Sequence, residues 1–337
     1  RESSKCAPQE ALRNLDKAFT AFFRRCKEGA AYKGFPRFKS RKRGIGGFRL
    51  TGVIRASATH VQLPRLGCLK LKERGYLPEA DRSDIRVLSA AVTEQAGRWF
   101  LSLQVEQQVE DPKPPVEHVV GVDVGIQHLA TTSDGQVFEN PRALRGAERR
   151  VRLCQKAVSR KVKGSRSRQK AVQRLQRQHY RVANLRKDAI HQATTAIAKS
   201  ASVVGIEDLN VRGMLGNRCL AKALSDASLA EFLRQLAYKV AWRGGMVVKA
   251  DRWFPSSKQC SRCGHVKAEF ELSDRTYRCE VCDLVIDRDL NAAINLRNLA
   301  ASSAVTADRH GSAGRGCEAP TKLPFGSEPS RELQAYA

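Results

Sequence analysis

Apolar positions along the chain change their period several times, and each change marks an element. Between residues 8 and 27, Leu12, Leu15, Phe19, Phe22 and Phe23 recur at spacings of three and four, one face of a helix, which assigns the three phenylalanines to a core. From Arg49 to Val109 short apolar runs alternate with Gly52, Pro64, Gly67, Gly75 and Gly97, predicting a small antiparallel β domain of hairpins. Its last strand, Trp99 to Val105, ends in the clean alternation of a half-buried strand. Glu110-Asp111-Pro112-Lys113-Pro114-Pro115 then reads as a stiff linker and a domain boundary, because proline fixes its own φ and restrains the residue before it.

Beyond the linker, Val119-Val120-Gly121-Val122-Asp123, Leu129 to Thr132 and Gln136 to Phe138 predict a three-stranded antiparallel start. Val151, Cys154 and Val158 form one apolar stripe and Leu175, Val182, Leu185 and Ala189 another, so two helices joined near Lys163-Gly164-Ser165 follow. Ser202 to Leu209 is a second apolar run that delivers a carboxylate. Ser228-Leu229-Ala230-Glu231 has the form of a capping box opening a helix lined by Leu229, Phe232, Leu233, Leu236 and Val240, and Gly244-Gly245 stops it. Met246 to Ala250 reads as a strand and Asp289 to Leu299 as a final helix with Leu290, Ile294 and Leu296 among its apolar positions. From about Ala301 the chain is rich in Gly, Ser and Pro, and disorder is expected. The class is α/β.

Charge narrows the partners. The 337 residues carry 60 Lys plus Arg against 34 Asp plus Glu, a net charge of +26, with a pI near 10.1. Such an excess calls for a polyanion, and nucleic acid is the natural one. No run of eighteen apolar residues and no lipidation signal argues for a membrane. Residues 142–187 hold seventeen Lys or Arg against one acid, Glu148. Like charges at i,i+4 repel by a few tenths of a kcal/mol per pair, about 0.2–0.5, and a phosphate backbone relieves that. Arg149, Arg150, Lys156, Arg160, Lys161, Lys163, Arg174 and Arg177 are candidate nucleic-acid contacts here. Lys39 and Arg41 join them in the basic stretch from Tyr32 to Arg49, where Phe35, Phe38 and Phe48 are interleaved with charge in the manner of single-strand or RNA binders.

Ten cysteines divide into two groups. Cys260-x-x-Cys263 and Cys279-x-x-Cys282 have the spacing of paired zinc knuckles, in which two tight turns close a tetrahedron of sulfurs and leave no position open for chemistry. Two disulfides or four unpaired core thiols are the alternatives. Gly264 follows the first pair and Asp283 the second, and aspartate tolerates the left-handed turn required there. The other six, Cys6, Cys26, Cys68, Cys154, Cys219 and Cys317, show no pairing pattern, which favours a reducing compartment. Three acids, Asp123, Glu207 and Asp289, each stand at the boundary of an apolar element, where an α/β fold can bring them to one sheet edge. Phosphodiester hydrolysis needs charge relief at the attacking and leaving oxygens, which two divalent ions about 3.5–4 Å apart supply. Carboxylate oxygens select magnesium or manganese for such a site. Asp287 is the local rival of Asp289.

Gly121-Val122-Asp123-Val124-Gly125, Gly205-Ile206-Glu207-Asp208-Leu209-Asn210-Val211, the cysteine ribbon preceded by Trp253-Phe254-Pro255-Ser256-Ser257-Lys258, and Asp287-Arg288-Asp289-Leu290-Asn291-Ala292-Ala293 occur in the order found in the transposon-encoded TnpB (OrfB) proteins, relatives of the type V CRISPR effectors, which this chain resembles over nearly its whole length. The resemblance implies an RNA-guided DNA endonuclease with Asp123, Glu207 and Asp289 as catalytic triad and magnesium ligands, zinc in the ribbon, and guide RNA and target DNA as partners in a prokaryotic cytoplasm at the nucleoid. It implies a partial recognition helix and basic loop over 1–47, a β-barrel-like wedge domain over 48–111 and a linker at 112–116. A RuvC-like, RNase H-type domain over 117–253 would include a basic helical hairpin at 142–200. The zinc ribbon insert covers 254–285, the RuvC-like C-terminal helix 286–300 and a disordered tail 301–337. The family's further opening strand and recognition helices have no counterpart before residue 8, and Arg1 falls inside what reads as an ongoing helix, so a fragment is expected. A strand-transferring transposase and a nuclease-inactive RNA-guided repressor are the alternative functions. A tyrosine transposase would need a histidine-hydrophobe-histidine metal motif, and none of the seven histidines forms one.

Overall fold

The computed structural model describes residues 5–37, 46–73, 85–113, 118–268 and 274–309. They divide into two compact units, one ending at Glu110 and one beginning at Asp111.

In the first unit a helix, α1 (Cys6–Lys27), precedes six strands: β1 (Gly47–Thr51), β2 (Arg55–Ala56), β3 (His60–Leu63), β4 (Gly67–Lys70), β5 (Ile85–Gln95) and β6 (Arg98–Gln107). They form two antiparallel sheets, ordered β1-β5-β6 and β2-β3-β4. The β5-β6 hairpin turns on Ala96 and Gly97, both at positive φ, the twist that matches two flanking strands. Leu50, Ile54, Val61, Leu63 and Ala90 make its core. The apolar face of α1 departs from expectation. Glu10 is the one residue of α1 that is fully buried, bonded by Arg13, whereas Leu12, Leu15 and Phe23 are 66%, 48% and 57% exposed. Phe19, Phe22 and Phe23 pack on one another and on Phe35, with ring centroids 5.2 to 6.2 Å apart, instead of entering the core. Periodicity defines an apolar face; it does not supply a partner to cover it.

The second unit begins with β7 (Val119–Asp123), β8 (His128–Thr132) and β9 (Val137–Glu139), then α2 (Ala143–Ser159) and α3 (Arg166–Ser200). After them come β10 (Val203–Ile206), α4 (Val211–Met214), α5 (Ala221–Ala227), α6 (Leu229–Ala241), β11 (Met246–Lys249), β12 (Thr276–Arg278), β13 (Val285–Asp287) and α7 (Arg288–Arg309). Five strands form a mixed sheet ordered β11-β10-β7-β8-β9. β7, β10 and β11 run parallel, while β8 and β9 run antiparallel to their neighbours. Alternation sorts the two faces: Val120, Val122, Val204 and Ile206 point into the core with Ile190 and Ile197 of α3 and Phe232, Leu236 and Val240 of α6.

Helices α2 and α3 form the expected hairpin. The Ser165 hydroxyl accepts the Arg168 N–H at the start of α3, and Arg168 Nη1 reaches back to the Val158 carbonyl at 2.8 Å, closing the turn. Leu185, placed in an apolar stripe by spacing, is 47% exposed, because the buried line of α3 runs through Val182, Ile190, Ala193 and Ile197. The start of α2 is capped from a distance: buried Asp226 accepts the N–H groups of Leu144 and Arg145 and is paired with Arg186 at 2.8 Å. Ser228 is not the side-chain cap its sequence suggests. It sits at φ +55° in the turn between α5 and α6, its hydroxyl donates back to the Ser225 carbonyl, and Glu231 pairs with Arg234. Helix α7 also outruns its expected end at residue 300. Ala300 is buried, the Ser302 and Ser303 hydroxyls satisfy themselves on the Asn298 and Leu299 carbonyls one turn back, and the helix runs on to Arg309. The remainder of the expected tail, 310–337, lies outside the described residues.

Candidate active site and cysteine ribbon

The face of the sheet opposite α3 and α6 carries the odd-numbered residues Gly121, Asp123, Gly205 and Glu207. Gly121 and Gly205 stand side by side in register on parallel β7 and β10, so Glu207, one step past the last paired position, emerges next to Asp123. Helix α7 crosses directly over the two glycines. A methyl group on Gly121 would lie 1.9 Å from the Ala293 carbonyl oxygen, and one on Gly205 would lie 2.3 Å from that of Leu296. No side chain fits between this helix and these strands. The glycine two residues before each acid is therefore what seats α7, and seating α7 brings its first turn, with Asp289, to the same edge.

The electrostatics record that convergence. Burial pushes the Asp123 carboxyl well above the ordinary carboxylate range, and the negative charges of Glu207 and then Asp289 push it further, against a weaker pull from Arg288. The Asp123 carboxyl thus resists ionisation where it sits, and a cation beside it would relieve that. The donors are all carboxylate oxygens, which fits hard divalent ions. Each acid is held. The Ser256 hydroxyl donates to Glu207 Oε1, and Arg288 Nε and Nη2 both lie 3.1 Å from Asp289 Oδ1. Asp287, the rival for the third place, has a different job: its carboxylate accepts the N–H groups of Asp289 and Leu290 and caps α7.

The ribbon is inserted between β11 and α7. Its four sulfurs lie within 4.8 Å of one another, with Cys260 to Cys282 at 3.6 Å and Cys263 to Cys279 at 3.5 Å. That excludes the disulfide alternative, which requires about 2 Å, and brackets the roughly 3.8 Å between sulfurs that each lie about 2.3 Å from a tetrahedral zinc. The knuckles match: Cys260 N–H bonds the His265 carbonyl and Cys279 N–H that of Leu284, while Gly264 and Asp283 take the equivalent positive-φ positions at +78° and +55°. Tyr277 is fully buried beneath them. Its hydroxyl donates to the Lys258 carbonyl, and burial, followed by charge on the cysteines, pushes its pKa up to about 12.

Sequence reasoning missed the joint between ribbon and helix. Asn291 and Asn295, one turn apart on α7 and both buried, donate to the Gln259 carbonyl at 2.7 Å, and Asn295 also reaches that of Ser256. Asn291 further accepts the Ser261 N–H. The signal in the sequence is two asparagines at i,i+4 among the alanines, leucine and isoleucine of the first turns of the helix. Ser256, whose hydroxyl reaches Glu207, lies in the Trp253–Lys258 stretch, where one of two serines between Pro255 and Lys258 carries no distinguishing pattern.

Away from the acids, Arg149, Arg150, Lys156, Arg160, Lys161, Lys163, Arg174 and Arg177 are all exposed on α2, α3 and their turn. Glu148 is spent on Arg152 and Lys222. Lys39 and Arg41 lie outside the described residues.

Fold and site together define a class: a mixed α/β domain with a carboxylate cluster at one sheet edge and a four-cysteine ribbon spliced in ahead of its last helix. A family described as "Probable transposase" (OrfB_IS605) matches residues 102–218, and the Cas12f1-like TNB domain matches 230–296. The chain is 39% identical over 318 residues to a "Putative RNA-guided DNA endonuclease" of Streptomyces pristinaespiralis, covering 91% of this chain and 73% of that one. It is 33% identical over 346 residues to "Putative RNA-guided DNA endonuclease InsQ" of Escherichia coli K12, covering 98% and 80%. Among solved structures, a Cas12f1–sgRNA–target DNA complex aligns with a TM-score of 0.41 at 18% identity, over 63% of this chain and 57% of that one. The chain belongs to the TnpB (OrfB) family. Among the described residues no helix is long and apolar enough to cross a membrane.

Proposed function

We propose that this protein is an RNA-guided DNA endonuclease in which Asp123, Glu207 and Asp289 hold divalent ions against a DNA phosphodiester. The names of its relatives support the activity. The observation that carries the site is the seating of α7 on Gly121 and Gly205, which delivers a third carboxylate to two that already adjoin. An antiparallel β7-β8-β9 meander followed by parallel β10 and β11 fits a RuvC-like, RNase H-type domain. Magnesium or manganese bound by the acids supplies Lewis-acid relief of the charge that builds on the scissile phosphate. The Ser256 hydroxyl orients the Glu207 carboxylate, Arg288 steadies Asp289, and the Asp287 cap fixes the first turn of α7. The exposed cations of α2 and α3 hold backbone phosphates, while guide RNA reads the target by base pairing.

Zinc in the ribbon is structural, since four sulfurs complete its shell. Residues 48–111 act as the wedge domain and 1–47 as part of the recognition region, with a linker at 112–116. Residues 117–253 and the helix that follows the 254–285 ribbon make up the nuclease domain. The test is to purify the protein with its bound RNA, sequence that RNA, and offer matching DNA with magnesium. Cleavage by the wild type that is lost in Asp123→Ala with RNA still bound is expected. Cleavage that persists in Asp123→Ala removes the triad assignment, absence of a discrete RNA removes the guided reading, and joined DNA ends in place of cut ones would favour strand transfer.

A further inference from the structure

Between the edge strand β11 and the ribbon, the chain makes an arc with both feet beside the acids. At one foot the Ala250 N–H bonds the Ile206 carbonyl at 2.8 Å. At the other, the Ser256 hydroxyl meets Glu207. Between them the backbone is pinned. Asp251 Oδ1 accepts the Trp253 N–H at 2.9 Å, the Asp251 carbonyl accepts the Phe254 N–H, and Arg252 Nη2 is paired with Asp208 at 3.0 Å. At the crest, Trp253 is 85% exposed. An indole is a costly group to leave in water, about 25 cal/mol per Å² of apolar surface, and the nearby Arg252 is already paired with Asp208. Trp242, by contrast, packs on Tyr238 with ring centroids 4.5 Å apart, and no such ring partner meets Trp253 among the described residues. A surface cavity lies against it, lined by Asp208, Lys249, Ala250, Asp251, Arg252 and Trp253 itself. Two residues separate Trp253 from Ser256, so their Cα atoms, three steps apart, lie within about 11 Å.

We propose that Trp253 is a positioning residue for the substrate strand, its indole stacking on one unpaired base a short distance from the scissile phosphate, with Lys249 flanking the same cavity. This rests on the nuclease reading above. A rigid arc carrying an exposed ring beside a cation provides the stacking platform that single strands require, and it is tolerant of sequence because every base has a π face. Arg252 is held by Asp208 and serves to fix the arc. Stacking of this kind sets where the strand lies and leaves the chemical step to the acids.

The experiment pairs a protein change with a DNA change. Guide-loaded wild type, Trp253→Ala and Trp253→Phe are assayed on targets in which nucleotides around the cut are replaced one at a time by abasic sites. Trp253→Ala is expected to lower kcat/KM about tenfold, mainly through KM, within the range of about 1–3 kcal/mol for losing one base stack. Trp253→Phe restores most of it. A single abasic position should weaken the wild type by the same factor and add nothing in Trp253→Ala. Independent, multiplying losses at every position, or an unchanged Trp253→Ala, would overturn the proposal. If the wild type cuts nothing, the nuclease reading fails by itself. The stacking is then decided by fluorescence of Trp99→Phe/Trp242→Phe, which keeps Trp253 as the one tryptophan. Saturable quenching by oligothymidylate that is absent with an abasic oligomer supports it, and unchanged emission refutes it.

Discussion

Cys260, Cys263, Cys279 and Cys282 come from two matching turns whose inner cysteines are 16 residues apart, whereas Asp123, Glu207 and Asp289 come from β7, the end of β10 and the start of α7. The sulfurs are brought together by short-range turn geometry, two positive-φ positions and a buried tyrosine under them. The carboxylates meet only after a sheet has formed in register and a helix has docked across it. One cluster can assemble with its own ion as an isolated loop, and its stability is a local matter. The other is assembled by the whole domain, against the burial and like charge that raise the Asp123 pKa. Two clusters a few residues apart along the chain thus differ both in their donors and in their routes of assembly.

The most damaging way to break the contrast is at the acids. Asp123→Asn, Glu207→Gln or Asp289→Asn should each lower the single-turnover cleavage rate by about a thousandfold or more, while filter binding of the guide RNA is unchanged. Asp287→Asn, which keeps a capping oxygen, should cost far less. Next in size is a change that touches no acid. Gly121→Ala or Gly205→Ala forces the backbone of α7 off the sheet, costing about 1–3 kcal/mol or more by overpacking in urea unfolding, and should suppress cleavage although all three carboxylates remain. Full activity in both alanine variants would show that Asp289 reaches the site by another route.

A smaller effect belongs to the ribbon. Cys279→Ser should lose the tightly held zinc, read by atomic absorption. It should reduce cleavage by about 10–100-fold, because Asn291 and Asn295 tie α7 to the ribbon's first turn. Removing magnesium from the wild type should stop cleavage at once and reversibly, with the zinc content unaltered. The smallest effect is on stability without metal. A carboxyl whose folded-state pKa is raised contributes stability that is fully present below its unfolded value, ordinarily 3.8, and lost as pH rises through the folded value. In EDTA at neutral pH, Asp123→Asn should therefore melt higher than the wild type, by about 2–4 °C per kcal/mol of repulsion relieved. The gap should close as the pH is lowered toward 4, and magnesium should raise the Tm of the wild type more than that of the variant.

The same contrast explains what could be read from the chain alone. Thiolate spacing is a local constraint, so the ribbon was visible in a short window, down to Asp283 in its left-handed turn. The acids could be seen only as residues at the ends of apolar runs. Their adjacency depends on the pairing of Gly205 with Gly121, and a sequence does not print strand register. Local rules misled where long-range packing intervened. Ser228 has the spacing of a cap but faces a left-handed turn, the true cap of α2 is Asp226, far along the chain, and the apolar face of α1 carries exposed rings. Asn291 and Asn295 offered only their i,i+4 spacing as a hint, because the Gln259 carbonyl they serve belongs to another segment.

Because the segment that seats over Gly121 and Gly205 is the last described helix, the order of synthesis sets when the enzyme becomes dangerous. Chains are made from the N-terminus and their parts fold as they emerge, so β7, β10 and the basic hairpin exist before Arg288 leaves the ribosome. Until then two acids face each other without the third. A chain that stopped before Arg288 would carry the exposed cations of α2 and α3 together with Asp123 and Glu207 but would lack Asp289.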